Sequence, residues 1–256
     1  MSPSHILGSW ILLGLALGSF VTVLVARVPG QRGLVNSSHC QSCGKPILWR
    51  DNIPLISFLL LRGRCRFCKN KIGYLYPLTE LIVCGLIILV VLHFSGWFVA
   101  LSWIAFVVLG TALALIDLKL FRLPDLLTLS LACIVAGLLV SDALKNKHHN
   151  QLKSALICSL SLFIFYLLIN ILSHGGMGMG DAKLALTIGL LTGYYGWKST
   201  FISTLVAFTA GALVGIGLIL FKGAGRKTAV PFGPFMLVGC YASIWLAPVI
   251  ENALPH

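Results

Sequence analysis

The stretch Trp97-Phe-Val-Ala-Leu-Ser-Trp-Ile-Ala-Phe-Val-Val-Leu-Gly-Thr-Ala-Leu-Ala-Leu-Ile-Asp117 runs twenty residues without a charge and then closes on a carboxylate. Crossing the hydrocarbon core of a bilayer takes ~20 mostly apolar residues, so it reads as a transmembrane helix with an acid at its end. Comparable stretches recur at 6–26, 77–95, 124–143, 154–173, 182–196, 199–221 and 232–250, the one at 182–196 being short. The composition agrees: of 256 residues, 58% are hydrophobic and 10% charged, whereas a soluble domain carries about 25% charged residues. A soluble globular enzyme is excluded. An all-α polytopic membrane protein with about eight transmembrane helices is expected.

The polar interval long enough to fold separately is 28–76, which divides the chain into a first transmembrane helix (1–27), a loop domain (28–76) and a membrane-embedded domain (77–256). With eight spans, fifteen of the 19 Lys and Arg residues fall on the side of that loop, leaving Lys145, Lys147, Lys153 and Lys198 opposite. The excess of basic residues marks the cytosolic side, which puts the N-terminus outside. The first span has no basic residue before it and Arg27 directly after it, the reverse of a cleavable signal peptide, so it reads as an uncleaved anchor. In this setting the net charge of +12 sets orientation and meets anionic headgroups. The lipid bilayer is an expected partner and nucleic acid is not.

Eight cysteines divide into four lone apolar ones (Cys84, Cys133, Cys158, Cys240) and four in the loop. Cys40-x-x-Cys43 and Cys65-x-x-Cys68 have the spacing at which four thiolates converge on one tetrahedral Zn²⁺. A loop of about fifty residues rich in Arg, Gly and Pro has little apolar surface to bury, so metal binding can supply its folding free energy. A site closed by four cysteines is structural in kind. Disulfides are disfavoured on a cytosolic side, and a redox dithiol needs only one of the two pairs.

With seven acidic residues in the chain, each can be judged alone, and a carboxylate in or beside a span is a functional candidate by default. Asp125 follows Pro124 and suits the first turn of a helix as a capping acid. Asp51 and Asp142 read as loop or boundary residues, and Glu251 lies in the tail. Asp117 ends its span at a helix C-terminus, where the dipole disfavours a carboxylate, so stability alone does not explain it. Asp181 lies in Gly178-Met-Gly180-Asp-Ala-Lys183, where a glycine-rich run from Gly175 enters the next span; a plain capping role is the other reading. Two spans separate Asp117 from Asp181, so the chain goes out and returns and both reach one membrane boundary. Two carboxylates sharing a proton are the working parts of an aspartic protease; here Asp181 is expected to start as the ionised base and Asp117 as the acid. Gly178 and Gly180 allow close passage of a substrate or movement of the helix entry.

At these residues the chain resembles the type IV prepilin peptidases, the GxGD aspartic proteases that act as leader peptidases and N-methyltransferases of pilus and type II secretion systems. The matching segments are Gly18-Ser-Phe20 with Arg27-Val-Pro29, the two cysteine knuckles, Asp51-Asn-Ile-Pro-Leu-Ile-Ser57, Tyr76-Pro-Leu-Thr-Glu80, Asp117-Leu-Lys-Leu-Phe-Arg-Leu-Pro-Asp125 and Gly178-Met-Gly-Asp-Ala-Lys183, with Pro231-Phe-Gly-Pro234 similar to the family's last turn. The resemblance implies that Asp117 and Asp181 are the catalytic pair, supported by Gly178, Gly180, Lys183 and Asp125, and that Cys40, Cys43, Cys65 and Cys68 hold structural zinc. It further implies cleavage of the leader from prepilins and pseudopilins at the cytosolic face of a bacterial inner membrane. N-methylation of the new N-terminus by S-adenosylmethionine follows, with the 28–76 loop associated with that step. Members often carry Glu where this chain has Asp51. No glycine-rich nucleotide motif marks the methyl donor's ligands. Glu80, at the inner edge of its span, is a candidate for the methylation site or else a helix-terminal acid paired to a loop arginine. Competing readings are a GxGD intramembrane protease without methylation, a cation- or proton-coupled transporter using Asp117, Asp125 and Asp181, and a structural secretion subunit. Specific substrates and oligomeric state are not legible.

Overall fold

A computed structural model describes residues 3–30, 39–40, 42–173, 177–222 and 230–253. Of the residues named above or counted in the charge comparison, Arg32, Gly175, Gly176, Arg226 and Lys227 lie outside these. The chain divides into two compact units, Met1–Ser95 and Gly96–His256. The regular elements of the described residues are helical, and extended pairing is confined to two isolated bridges, His39 with Pro46 and Arg64 with Lys71.

The first unit pairs α1 (Pro3–Arg27) with α3 (Leu75–His93), and the loop between them carries the short α2 (Ile56–Leu60). Gly14 and Gly18 stand four residues apart, hence on one face of α1. A Cβ on Gly18 would lie 2.6 Å from Glu80 Cα and one on Gly14 2.9 Å from Cys84 Cα. Small residues at this spacing let two membrane helices approach backbone to backbone, and here the approach fixes Glu80 against α1.

The second unit contains α4 (Trp97–Leu120), α5 (Asp125–Asn146), α6 (His149–Leu172), α7 (Met179–Gly193), α8 (Trp197–Lys222) and α9 (Gly233–Ala253). Within α4 the turn Phe106–Gly110 is a π-helical bulge, a feature frequent near functional sites; it resets the face on which Asp117 emerges about two turns later. Six described helices are long and apolar enough to cross a membrane, in α1, α3, α4, α5, α6 and α8. The other two expected spans are α7 and α9. With 15 residues, α7 measures about 22 Å, short of the ~30 Å hydrocarbon thickness. It is enclosed by protein instead: Ala182, Leu184, Ala185 and every residue from Thr187 to Gly193 are buried, the pattern of a core helix. Gly189 permits this, since a Cβ there would lie 2.4 Å from Ser159 Cα on α6.

Asp142 is not a loop residue. It is 1% exposed, near the end of α5, and accepts hydrogen bonds from the Tyr194 hydroxyl, from Asn146 Nδ2 at 2.8 Å and from the His148 ring at 2.8 Å. It ties the C-terminal ends of α5 and α7 together. Asp142→Ala removes the carboxylate that Tyr194, Asn146 and His148 share and leaves the Tyr194 hydroxyl only the His148 ring at 3.4 Å; losing a buried acceptor costs ~1–3 kcal/mol, and thermal unfolding in detergent should show a lowered midpoint.

Candidate active site and metal centre

In the second unit, Asp117 and Asp181 come from the last turn of α4 and the first turn of α7, and both are buried, at 5% and 7% exposure. Their surroundings share Leu123: a Cβ on Gly233, bonded to Asp117, would lie 3.6 Å from Leu123 Cδ2, and one on Gly180, next to Asp181, 3.4 Å from Leu123 Cδ1. Asp181 is the third residue of α7: its own N–H donates to the Gly178 carbonyl at 3.0 Å, and its Oδ2 accepts the Gly178 N–H at 3.2 Å. Asp181 thus caps its own helix. Asp117 closes its helix as expected, with Phe121 in the left-handed region (φ 52°) donating its N–H to the Asp117 carbonyl at 2.8 Å.

One element of the site was illegible in the sequence. Asp117 Oδ2 accepts the N–H of Gly233 at 3.0 Å, and Gly233 is the first residue of α9. The acid at the C-terminus of α4 thus also meets the N-terminus of α9, whose dipole favours a carboxylate, and the unfavourable placement inferred from α4 alone is offset. The turn carrying Gly233 is held by aromatic packing, with Phe232 5.0 Å from Phe208 and 6.2 Å from Tyr166 between ring centroids.

Gly180 brings the two acid-bearing segments together, since a Cβ on it would sit 2.7 Å from Leu123 Cβ in the α4–α5 connection. Lys183 Nζ pairs with Asp125 Oδ1 at 2.6 Å, so the supporting members of both motifs also meet. Asp125 is accordingly an ion-pair partner of α7 as well as a first-turn acid of α5. Gly180→Val should force Leu123 away and cut cleavage at least tenfold while α-helical content by circular dichroism stays unchanged.

In the first unit, the Sγ atoms of Cys40, Cys43, Cys65 and Cys68 all lie within 4.8 Å of one another, with Cys40 and Cys68 at 3.8 Å. The edge of a tetrahedron with Zn–S bonds of about 2.3 Å is ~3.8 Å, so the donor set fits a four-coordinate metal. The two knuckles fold alike. Cys40 N–H donates to the Lys45 carbonyl and Cys65 N–H to the Asn70 carbonyl, both at 2.9 Å, and the residue after each second cysteine, Gly44 or Lys69, has φ of 70° or 58°. Asn70 Nδ2 bonds Ser42 Oγ at 2.7 Å and joins the two knuckles.

Two further contacts order this loop. Arg66 forks onto Asp51 with bonds of 2.7 and 2.6 Å, and this pairing holds the Asp51 carboxyl below its usual range. Glu80 Oε2 accepts the N–H of Leu55 at 2.8 Å. No ion pair of the described residues involves Glu80, so its partner is loop backbone and not a loop arginine. Leu55 itself has φ 58° and ψ −47°, with Ile56 N–H bonded to the Pro54 carbonyl at 2.6 Å. That is a γ-turn of the rare, strained hand, held where Glu80 receives it.

Residues 12–94 match the bacterial peptidase A24 N-terminal domain, and residues 103–216 match the type IV leader peptidase family. The two matches fall one in each unit. A protein of Pseudomonas putida named prepilin leader peptidase/N-methyltransferase is 34% identical over 96% of this chain and 92% of its own length. Proteins of the same name from Aeromonas hydrophila and Pseudomonas aeruginosa are each 33% identical, over 91% and 92% of this chain and 89% of their own lengths. No solved structure matches the chain. The chain is a membrane-integral protein of aspartic peptidase type, and it belongs to the type IV leader peptidase family, among the prepilin leader peptidase/N-methyltransferases.

Proposed function

We propose that Asp117 and Asp181 cleave the leader from type IV prepilins and pseudopilins and that the same chain then N-methylates the exposed N-terminus. The observation that carries the cleavage reading is the placement of these two buried acids on helix ends that both pack against Leu123, each acid held by a glycine N–H at a helix start. One carboxylate, ionised, takes a proton from the attacking water; the other, protonated, donates to the carbonyl oxygen of the scissile bond and afterwards the proton passes to the leaving amine. Such strongly coupled acids act as a pair, so the roles belong to the dyad. Around them Leu118, Phe121, Leu126 and Met179 are exposed, an apolar rim suited to a substrate whose helix enters from lipid.

The excess of basic residues on the loop side supports an orientation with this site at the cytosolic face of the bacterial inner membrane and the N-terminus outside. Residues 28–76 take the metal, Zn²⁺, on Cys40, Cys43, Cys65 and Cys68, where it stabilises a loop with little core of its own. The Gly96–His256 unit, which holds both aspartates, supplies the peptidase. S-adenosylmethionine, when bound, supplies a methyl group on a sulfonium sulfur to the new amine. The test is the product: purified wild type in detergent should release a prepilin starting at the residue after the leader's glycine, about 14 Da heavier with methyl donor present. Cleavage without added mass under all donor conditions would leave a GxGD peptidase alone. Well-folded protein that leaves several prepilins intact would return the transport reading.

A further inference from the structure

We propose that the cavity of the first unit, between α1, the cysteine loop and the start of α3, binds the methyl donor with Glu80 as counter-charge to its sulfonium. The inference rests on the methyltransferase reading and assigns it a place. The cavity, which also borders the zinc-site cysteines Cys40 and Cys65, measures about 680 Å³, within the ~300–1,000 Å³ range of small-molecule sites. Three features suit a ligand that joins an adenine base to a cationic sulfur and an amino-acid end.

Phe58 and Tyr76 line it and offer flat faces for a base, while Phe67 carries the Lys45 ammonium over its ring at 4.9 Å from the centroid. Lys45 and Lys71 line it as well, supplying positive charge for a carboxylate. Glu80 reaches it from α3, 8% exposed and without an ion pair. A buried carboxylate without a counter-cation is costly, and a bound cation offsets that cost. Its hydrogen bond from Leu55 N–H leaves acceptor capacity, because a carboxylate takes about four hydrogen bonds. The strained Leu55 turn has the same explanation: it fixes the carboxylate's direction, as strain held at a site commonly does.

The transfer balances simply. The substrate ammonium first gives up a proton to solvent or a carboxylate; the amine lone pair then forms the N–C bond while the C–S bond breaks and its electron pair stays on sulfur. Sulfur goes from sulfonium to neutral thioether, so a counter-charge holds the donor more tightly than the spent product.

The experiment is equilibrium dialysis of full-length protein with radiolabelled S-adenosylmethionine and with S-adenosylhomocysteine, the neutral thioether, in the absence of prepilin. Wild type should prefer the sulfonium by about tenfold or more, equivalent to ~1.4 kcal/mol. Glu80→Gln should lose that preference, holding the thioether as wild type does. Because Glu80 also braces Leu55, a second variant, Val23→Phe, fills the cavity from α1 and should abolish binding of both ligands. Zinc content and the thermal unfolding midpoint of both variants should match those of wild type and report intact folding. Wild-type binding that neither substitution alters would overturn the assignment while sparing the methyltransferase reading. Cleavage by wild type with neither binding nor methylation would overturn that reading itself.

Discussion

Asp117→Asn and Asp181→Asn should each abolish prepilin cleavage, by a factor of at least ~10²–10⁴, the range supplied by positioned acid–base groups. The change is nearly isosteric. An amide at 117 still offers an oxygen to the Gly233 N–H, seen at 3.0 Å, and one at 181 still offers an oxygen to the Gly178 N–H, seen at 3.2 Å. Both helix starts remain satisfied and the fold should hold. What is lost is the ability to exchange a proton, which the water-activating step and the carbonyl-protonating step both require. Binding of the methyl donor lies in the other unit and should be unaffected, so donor binding by dialysis certifies that each variant is folded. Activity would be followed by the mobility shift of the cleaved prepilin in detergent.

The second large effect concerns the metal. Cys40→Ser or Cys68→Ser removes one of four thiolates that lie within 4.8 Å of one another, and a hydroxyl does not replace a thiolate at a tetrahedral zinc. Metal analysis of wild type should give one zinc per chain, and of either variant close to none. Apparent binding free energies of structural zinc are ~10–16 kcal/mol in small domains, far above what the hydrogen bond from Asn70 to Ser42 and the Arg66–Asp51 pair can replace. The loop should become sensitive to trypsin at its many basic residues, and methyl transfer should fall with it. Cleavage should survive, since both aspartates belong to the Gly96–His256 unit.

Much of this was legible in the sequence, for identifiable reasons. Uncharged runs of twenty residues admit one physical solution, and acids are so few that each stood out. The paired Cys-x-x-Cys spacing encodes a tetrahedron because each knuckle is a local turn. Contacts that cross long stretches of sequence were not legible. Gly233 is 116 residues from Asp117, and nothing in Pro231-Phe-Gly-Pro234 alone says that its N–H meets a carboxylate. Asp142 looked like a boundary acid because its main partner, Tyr194, is 52 residues away. The Gly14–Gly18 face was readable as a small-residue spacing, but it acquires meaning only once Glu80 is seen against it. Hydropathy found α7 as a short apolar run but not that it is enclosed by protein, because burial among other helices leaves no mark in its own sequence.

The central claim is that Asp117 and Asp181 act as one unit on the scissile bond. It is tested most directly by measuring cleavage rates of Asp117→Asn, Asp181→Asn and the double variant in one assay. Residues that work as a unit are strongly non-additive, so the double variant should be no slower than the slower single one, and all three should lie at least ~10² below wild type. Cleavage within tenfold of wild type by either single variant, or a double loss equal to the product of the two single losses, would contradict the dyad.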